Sequence, residues 1–122
     1  MTDAETRGEH RELLVIDKVY DLVLWSCRHL AGFPRSHRFT LGERMEGQLY
    51  DLLETLLRAK YSREKREFLA RANLELEVLR FQLRLARDLR CLPFKSYEHG
   101  VRALDEVGRM VGGWLKQARG AG

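Results

Sequence analysis

Apolar residues recur along this chain at three- and four-residue steps, in four blocks separated by short polar joins. In the first block Leu13, Ile16, Tyr20, Val23, Cys27 and Leu30 step as a heptad seam, with Val15, Leu22 and Trp25 widening it. That spacing predicts an amphipathic helix over about residues 9–31, with Cys27 in the packing. Gly32, Phe33 and Pro34 supply its stop. A loop, FPRSHRF, follows. Thr40 with Glu43 three residues on is a capping-box pattern, which predicts a second helix over about 40–61 with Met45, Leu49, Leu52, Leu56 and Ala59 as its seam and Leu53 and Leu57 beside it. Ser62 reads as the N-cap of a third helix over about 63–91, joined so tightly that the second and third form an antiparallel hairpin. Leu92 and Pro93 break the chain. A fourth helix over about 94–117 carries Tyr97, Val101, Leu104, Gly108, Val111 and Leu115 on its seam. Gly108 and Gly112 are four residues apart, and glycine inside a helix costs about 1 kcal/mol against alanine, so a close helix contact is expected there. Residues 1–8 and 118–122 read as flexible ends. Four amphipathic helices with short joins imply an all-α, up-down-up-down antiparallel four-helix bundle in one domain.

The third helix departs from the simple pattern. Ala72, Leu76, Leu79, Leu83 and Ala86 form one stripe, and Leu74, Val78, Phe81, Leu85 and Leu89 form a second on nearly the opposite side. A helix apolar on two sides needs two covers. The other three helices can supply one. Leu74, Val78, Phe81 and Leu85 are therefore the expected contact with a second copy of the chain. Between the stripes lie Arg80, Arg84 and Arg87, at spacings that project all three from one face. Glu77 and Asp88 flank them, so the charge is balanced either internally or by an anionic partner.

Charge sharpens that alternative. The 122 residues carry a net charge of +4 and a pI of about 9.3. The balance is uneven: residues 1–30 hold four basic and six acidic side chains, and residues 31–122 hold eighteen and twelve. A basic body suits an acidic partner, nucleic acid first, although a solvated charged surface accounts for the same numbers. Arg58, Lys60, Arg63, Lys65 and Arg66 crowd the join between the second and third helices, either as a solvated corner or as a phosphate-contacting tip. Arg35 and Arg38 sit in the preceding loop between two phenylalanines. Arginine suits phosphate and carboxylate alike, because its planar fork pairs two oxygens at once.

Catalytic and metal-binding patterns are missing. A di-iron site in a bundle needs Glu-x-x-His, but His10, His29, His37 and His99 are preceded at that distance by Arg7, Ser26, Pro34 and Ser96. The chain has no His-x-x-x-His, Cys-x-x-Cys, P-loop or GxGxxG. No cofactor or metal is expected, and no enzymatic activity. No run approaches the roughly 20 apolar residues of a membrane span. MTDAETRGEH lacks a signal-peptide core, so no membrane partner and a cytoplasmic location are expected. Cys27 and Cys91 then read as free and buried.

Three segments also resemble a known family. Leu79-Arg80-Phe81-Gln82-Leu83-Arg84-Leu85, the run Glu106 to Leu115 (EVGRMVGGWL) and the loop Phe33-Pro34-Arg35 are similar to the accessory variability determinant proteins of diversity-generating retroelements. The likeness extends from about Tyr20 to Lys116. These proteins belong to a wider group of bacterial four-helix bundles related to those encoded in 23S ribosomal RNA intervening sequences. The RRAAVSIPANIAEG-like segment of the intervening-sequence branch is not present. Gly42 to Leu57 stands in its place, which favours the retroelement branch.

The resemblance implies a pentameric barrel of four-helix bundles. It implies binding to the retroelement's reverse transcriptase and to template RNA or cDNA, in support of mutagenic copying and retrohoming, without catalysis. Arg80 and Arg84 match the family's LR-x-x-x-R pattern. Arg35, Arg38, Arg58, Arg63 and Arg87 join them on charge alone. The competing expectation is an oligomeric scaffold of the intervening-sequence type that binds only a protein partner. A metal-dependent bundle enzyme is the third, and bound iron or manganese would mark it.

Overall fold

In a computed structural model, which describes residues 2–120, the chain folds into four long helices: α1 (Asp3–His29), α2 (Glu43–Tyr61), α3 (Lys65–Asp88) and α4 (Phe94–Gly120). The helices form a ring in which α1 packs on α2, α2 on α3, α3 on α4 and α4 on α1. With such short joins this is an antiparallel up-down-up-down bundle, the expected all-α fold. Met1, Ala121 and Gly122 lie outside the described residues, and with them the last part of the expected C-terminal tail.

The ends of the helices differ from expectation for local reasons. The first helix starts at Asp3, not near residue 9, because Thr2 and Glu5 form a reciprocal capping box: the Thr2 hydroxyl accepts from the Glu5 N–H, and the Glu5 carboxylate accepts from the Thr2 N–H. Polar composition suggested fraying; the cap and the acidic first turn oppose it. Thr40, in turn, caps nothing. The chain is already helical from Arg35, after Pro34, and passes through a wider π-helical turn over Arg38–Gly42. The Thr40 hydroxyl donates instead to the His37 carbonyl. Ser62 does accept an N–H bond, from Glu64 at 2.9 Å, and α3 then begins at Lys65. At 24 residues α3 is about 36 Å long at 1.5 Å per residue.

The core runs along the whole bundle. From α2 come Met45, Leu49, Leu52, Leu56 and Ala59, and from α3 Ala72, Leu76, Leu79, Leu83 and Ala86, all buried as their spacing predicts, and Leu69 extends the α3 line by one more turn. On α1 the seam is rotated. Val15, Ile16, Val19, Leu22, Val23, Ser26 and Leu30 are buried, whereas Leu13, Tyr20 and Cys27 are exposed. Apolar pattern favours Cys27 over Ser26. Yet the Ser26 hydroxyl satisfies itself on the Val23 carbonyl at 2.7 Å and can be buried at little cost. The expectation that both cysteines are buried therefore fails for Cys27 and holds for Cys91, and both are free.

On α4 the buried line is Gly100, Leu104, Val107, Val111, Trp114 and Leu115, with Tyr97, Val101 and Gly108 at its edge. A Cβ at Gly100 would stand 3.0 Å from the Leu83 side chain and 3.1 Å from Trp25, so this glycine is where helices approach closely. Gly112, expected to do the same, faces open space.

Candidate partner-binding surface

The second apolar stripe of α3 is real and uncovered. Leu74 is 67% exposed, Phe81 62% and Leu85 48%, with Val78 and Leu89 also open. A single such residue is ordinary; five at helical spacing make a continuous ridge of the kind that marks an interaction surface. A second apolar area lies elsewhere, along the outer edges of α1 and α2. It consists of Leu13, Tyr20 and Leu24 on α1 and of Tyr50, Leu57 and Tyr61 on α2. The two edges are joined by Cys27, whose thiol donates to Glu46 at 3.2 Å and lies 3.7 Å from the Tyr50 hydroxyl. Its hydrogen bond with Cys27 and the Glu46 charge push the Tyr50 pKa up to about 12.

The three arginines of α3 have separate circumstances. Arg80 reaches across to α4. Its Nη1 donates to Glu77 at 3.1 Å, its Nε lies 3.6 Å from Asp105, and its Nη2 occupies the space a Cβ on Gly108 would fill. The close contact expected at Gly108 thus exists, with a guanidinium rather than a helix backbone. Arg87 donates to Asp88 at 3.0 Å and to the Tyr97 hydroxyl at 3.3 Å, and lies over the Tyr97 ring. The Asp88 carboxylate holds it more firmly charged than usual. Arg84, between them, is exposed and makes no ion pair among the described residues.

The other basic candidates divide between the two ends of the bundle. Arg58 and Arg63 lie at the α2–α3 join. There Arg58 pairs with Glu54 at 2.8 Å, Lys60 with Glu12 at 3.7 Å, and Lys65 donates to the carbonyls of Ala59 and Lys60 at the end of α2. Much of that corner's charge is used within the fold, leaving Arg63 and Arg66 exposed. Arg35 and Arg38 lie at the opposite end, on the turn between α1 and α2. Arg38 is 3.4 Å from the Phe33 carbonyl, and Arg35 is exposed. Antiparallel order brings the α3–α4 join to that same end. One site cannot use all seven arginines: Arg35, Arg38, Arg84 and Arg87 share an end that Arg58 and Arg63 do not.

Arg90 was missed by pattern reasoning. It has φ 57°, in the left-handed region that favours glycine, within a closing turn where the Cys91 N–H bonds the Ala86 carbonyl at 2.8 Å. The signal available was the glycine-free end of a long helix. Its exposed charge adds to Arg84 and Arg87 at the same end.

No group of three or more His, Cys, Asp or Glu able to hold a metal occurs among the described residues, and no helix there is long and apolar enough to cross a membrane. A sequence model of the bAvd-like family matches residues 13–118. The chain belongs to the bAvd-like family. That family match covers both apolar areas of this surface and every arginine placed on it. A comparison with curated proteins gave no match. Nor does any solved structure match the chain.

Proposed function

We propose that this bAvd-like chain is a non-catalytic accessory protein of a diversity-generating retroelement. In this reading it assembles as a cyclic homo-oligomer, a pentamer, in the cytoplasm and binds the element's reverse transcriptase together with its template RNA or cDNA. The family match carries the proposal. Two features of the subunit support it. A ring of identical copies needs two different surfaces on each copy, one for each neighbour. The outer stripe of α3 and the outer edges of α1 and α2 are two such surfaces on separate sides of the bundle. Burying apolar area is worth roughly 25 cal/mol per Å², so both are strong candidates for covering in an assembly. The second feature is Arg84, with Arg90 and Arg35 at the same end, which keeps its charge available to phosphate or to an acidic protein surface.

Arg58, Arg80 and Arg87 are each paired with a carboxylate, which favours a second reading: a scaffold that binds only a protein partner. One experiment separates the two. The full chain and its Arg80→Ala/Arg84→Ala variant are titrated with reverse transcriptase and with template RNA at rising salt, and their masses are measured by light scattering. The retroelement reading expects a pentameric mass and RNA binding that weakens steeply with salt, as counterion release requires. It also expects the folded variant to bind one or both partners about ten-fold or more weakly, the effect of losing a charge-assisted contact. Retained transcriptase binding with no RNA binding at any salt selects the scaffold. Unchanged binding of both partners by the variant removes the arginine surface from the account, and a monomeric mass removes the ring.

A further inference from the structure

A cavity of about 190 Å³ lies between the first half of α1 and the second half of α4. Its floor is apolar, formed by Val15, Met110 and Trp114, and its rim carries Arg11, Arg109 and Gln117. Neither arginine makes an ion pair among the described residues. The one carboxylate of the lining, Glu12, is already engaged with Lys60 on α2 at 3.7 Å. Glycines stand on both walls, Gly8 on α1 and Gly113 on α4. A Cβ at either would meet nothing within 4 Å, so packing does not demand glycine there. Each nonetheless carries the helix cost of about 1 kcal/mol against alanine. What the two glycines do is leave the space between the helices unfilled.

From these features we infer that the α1–α4 cavity is a binding site for a small anion built on a flat ring. The apolar floor with one indole suits a planar ring, and a dry cavity of roughly 150 Å³ is known to hold one benzene. The two guanidiniums at the mouth, unpaired among the described residues, suit a carboxylate or phosphate, which each can grip through two N–H bonds. Gln117 offers both a donor and an acceptor to the ring's edge. The volume is below that of pockets for larger ligands, roughly 300 Å³ and above, which limits the enclosed part to a single ring. A free aromatic carboxylate and a mononucleotide, whose flat base is joined to an anionic phosphate, share this chemistry. The inference stands on the cavity alone and does not depend on the retroelement reading.

The test is calorimetric titration of the full chain with benzoate, uridine 5′-monophosphate, neutral benzamide and inorganic phosphate. Saturable binding of benzoate or of the nucleotide is expected, one per chain, with benzamide and phosphate at least about ten-fold weaker because each lacks one half of the recognition. The stronger of the two ring-bearing anions identifies the source. An Arg11→Gln/Arg109→Gln variant should lose about ten-fold or more in affinity. Gly113→Leu, which places a side chain in the open space, should abolish binding while the helical circular dichroism persists. Saturation by neither ring-bearing anion overturns the inference. So does benzamide or phosphate binding as tightly as the ring-bearing anions, or full affinity in Gly113→Leu.

Discussion

Leu76, Leu79 and Leu83 on one side of α3 are sealed beneath the neighbouring helices, whereas Leu74, Phe81 and Leu85, only a few residues away, stand largely in solvent. The two stripes are alike in spacing and in chemistry. Periodicity says that a helix face is apolar; it does not say which molecule covers it. For the inner stripe the answer lies within the chain, where α2 and α4 present complementary seams. For the outer stripe no helix among the described residues does so. The arginines repeat the contrast along the edge between them. Arg80 is satisfied within the chain, by Glu77 on its own helix and Asp105 on α4, while Arg84, one turn along, has no carboxylate partner among the described residues.

The largest test of this contrast is a pair of truncations read by chemical denaturation at protein concentrations low enough for the chain to be monomeric. Leu79→Ala should cost about 2–5 kcal/mol, the sum of lost burial and of the cavity left behind. Leu74→Ala should change the same measurement by less than about 0.5 kcal/mol, as exposed substitutions do. At high concentration the order should narrow, because Leu74→Ala then weakens any assembly that covers it. A loss of more than about 2 kcal/mol from Leu74→Ala in the dilute subunit would mean that the outer stripe is not free, and the contrast would fail.

How far the sequence could go follows from the same physics. The seams of the second and third helices were legible because each is an uninterrupted run at helical spacing, of leucines and alanines apart from Met45. On α1 two apolar stripes overlap, and heptad counting joined Leu13, Tyr20 and Cys27, which are exposed, to Ile16, Val23 and Leu30, which are buried. Ser26 could not be read as core from composition, because its burial depends on a hydrogen bond to its own helix. Gly108 and Gly112 carry the same expectation of a close helix contact, and neither meets a helix backbone: the Arg80 guanidinium lies opposite Gly108 and open space opposite Gly112. That Arg80, Arg84 and Arg87 form a strip was legible from their spacing. Which of them is spoken for depends on Asp105 and Tyr97, which come from another helix.

A smaller effect is expected at the foot of the same strip. Arg90 holds a left-handed backbone conformation in which a side chain is disfavoured by about 1 kcal/mol or more relative to glycine. Arg90→Gly should therefore raise stability, by about 0.5–1 kcal/mol after the greater entropy of an unfolded glycine is offset. If Arg90 works with Arg84 at this end, the same variant should bind an anionic partner less tightly, so that stability and binding move in opposite directions. A variant that is less stable would show that the turn depends on contacts of the arginine side chain, and a more stable one with unchanged binding would remove Arg90 from the surface.

The finest test turns the inner arginine into an outer one. At Gly108 an added Cβ would lie 2.5 Å from the Arg80 Nη2, too close for both to stay. The obstructing atom is the end of a long, flexible side chain, so the guanidinium can swing away without moving either helix. Gly108→Ala gains about 1 kcal/mol of helix propensity. It loses the Arg80–Asp105 ion pair, a half-exposed pair of the kind worth about 0–1 kcal/mol. These terms nearly cancel, so the melting temperature should move little and upward if at all. Arg80 should then behave as Arg84 does, exposed and available, and its removal in the Gly108→Ala background should cost more partner binding than in the parent. Destabilisation by more than about 1 kcal/mol would mean that Arg80 is locked between α3 and α4 as part of the core packing. The difference between Arg80 and Arg84 would then be one of structure rather than of a neighbouring carboxylate.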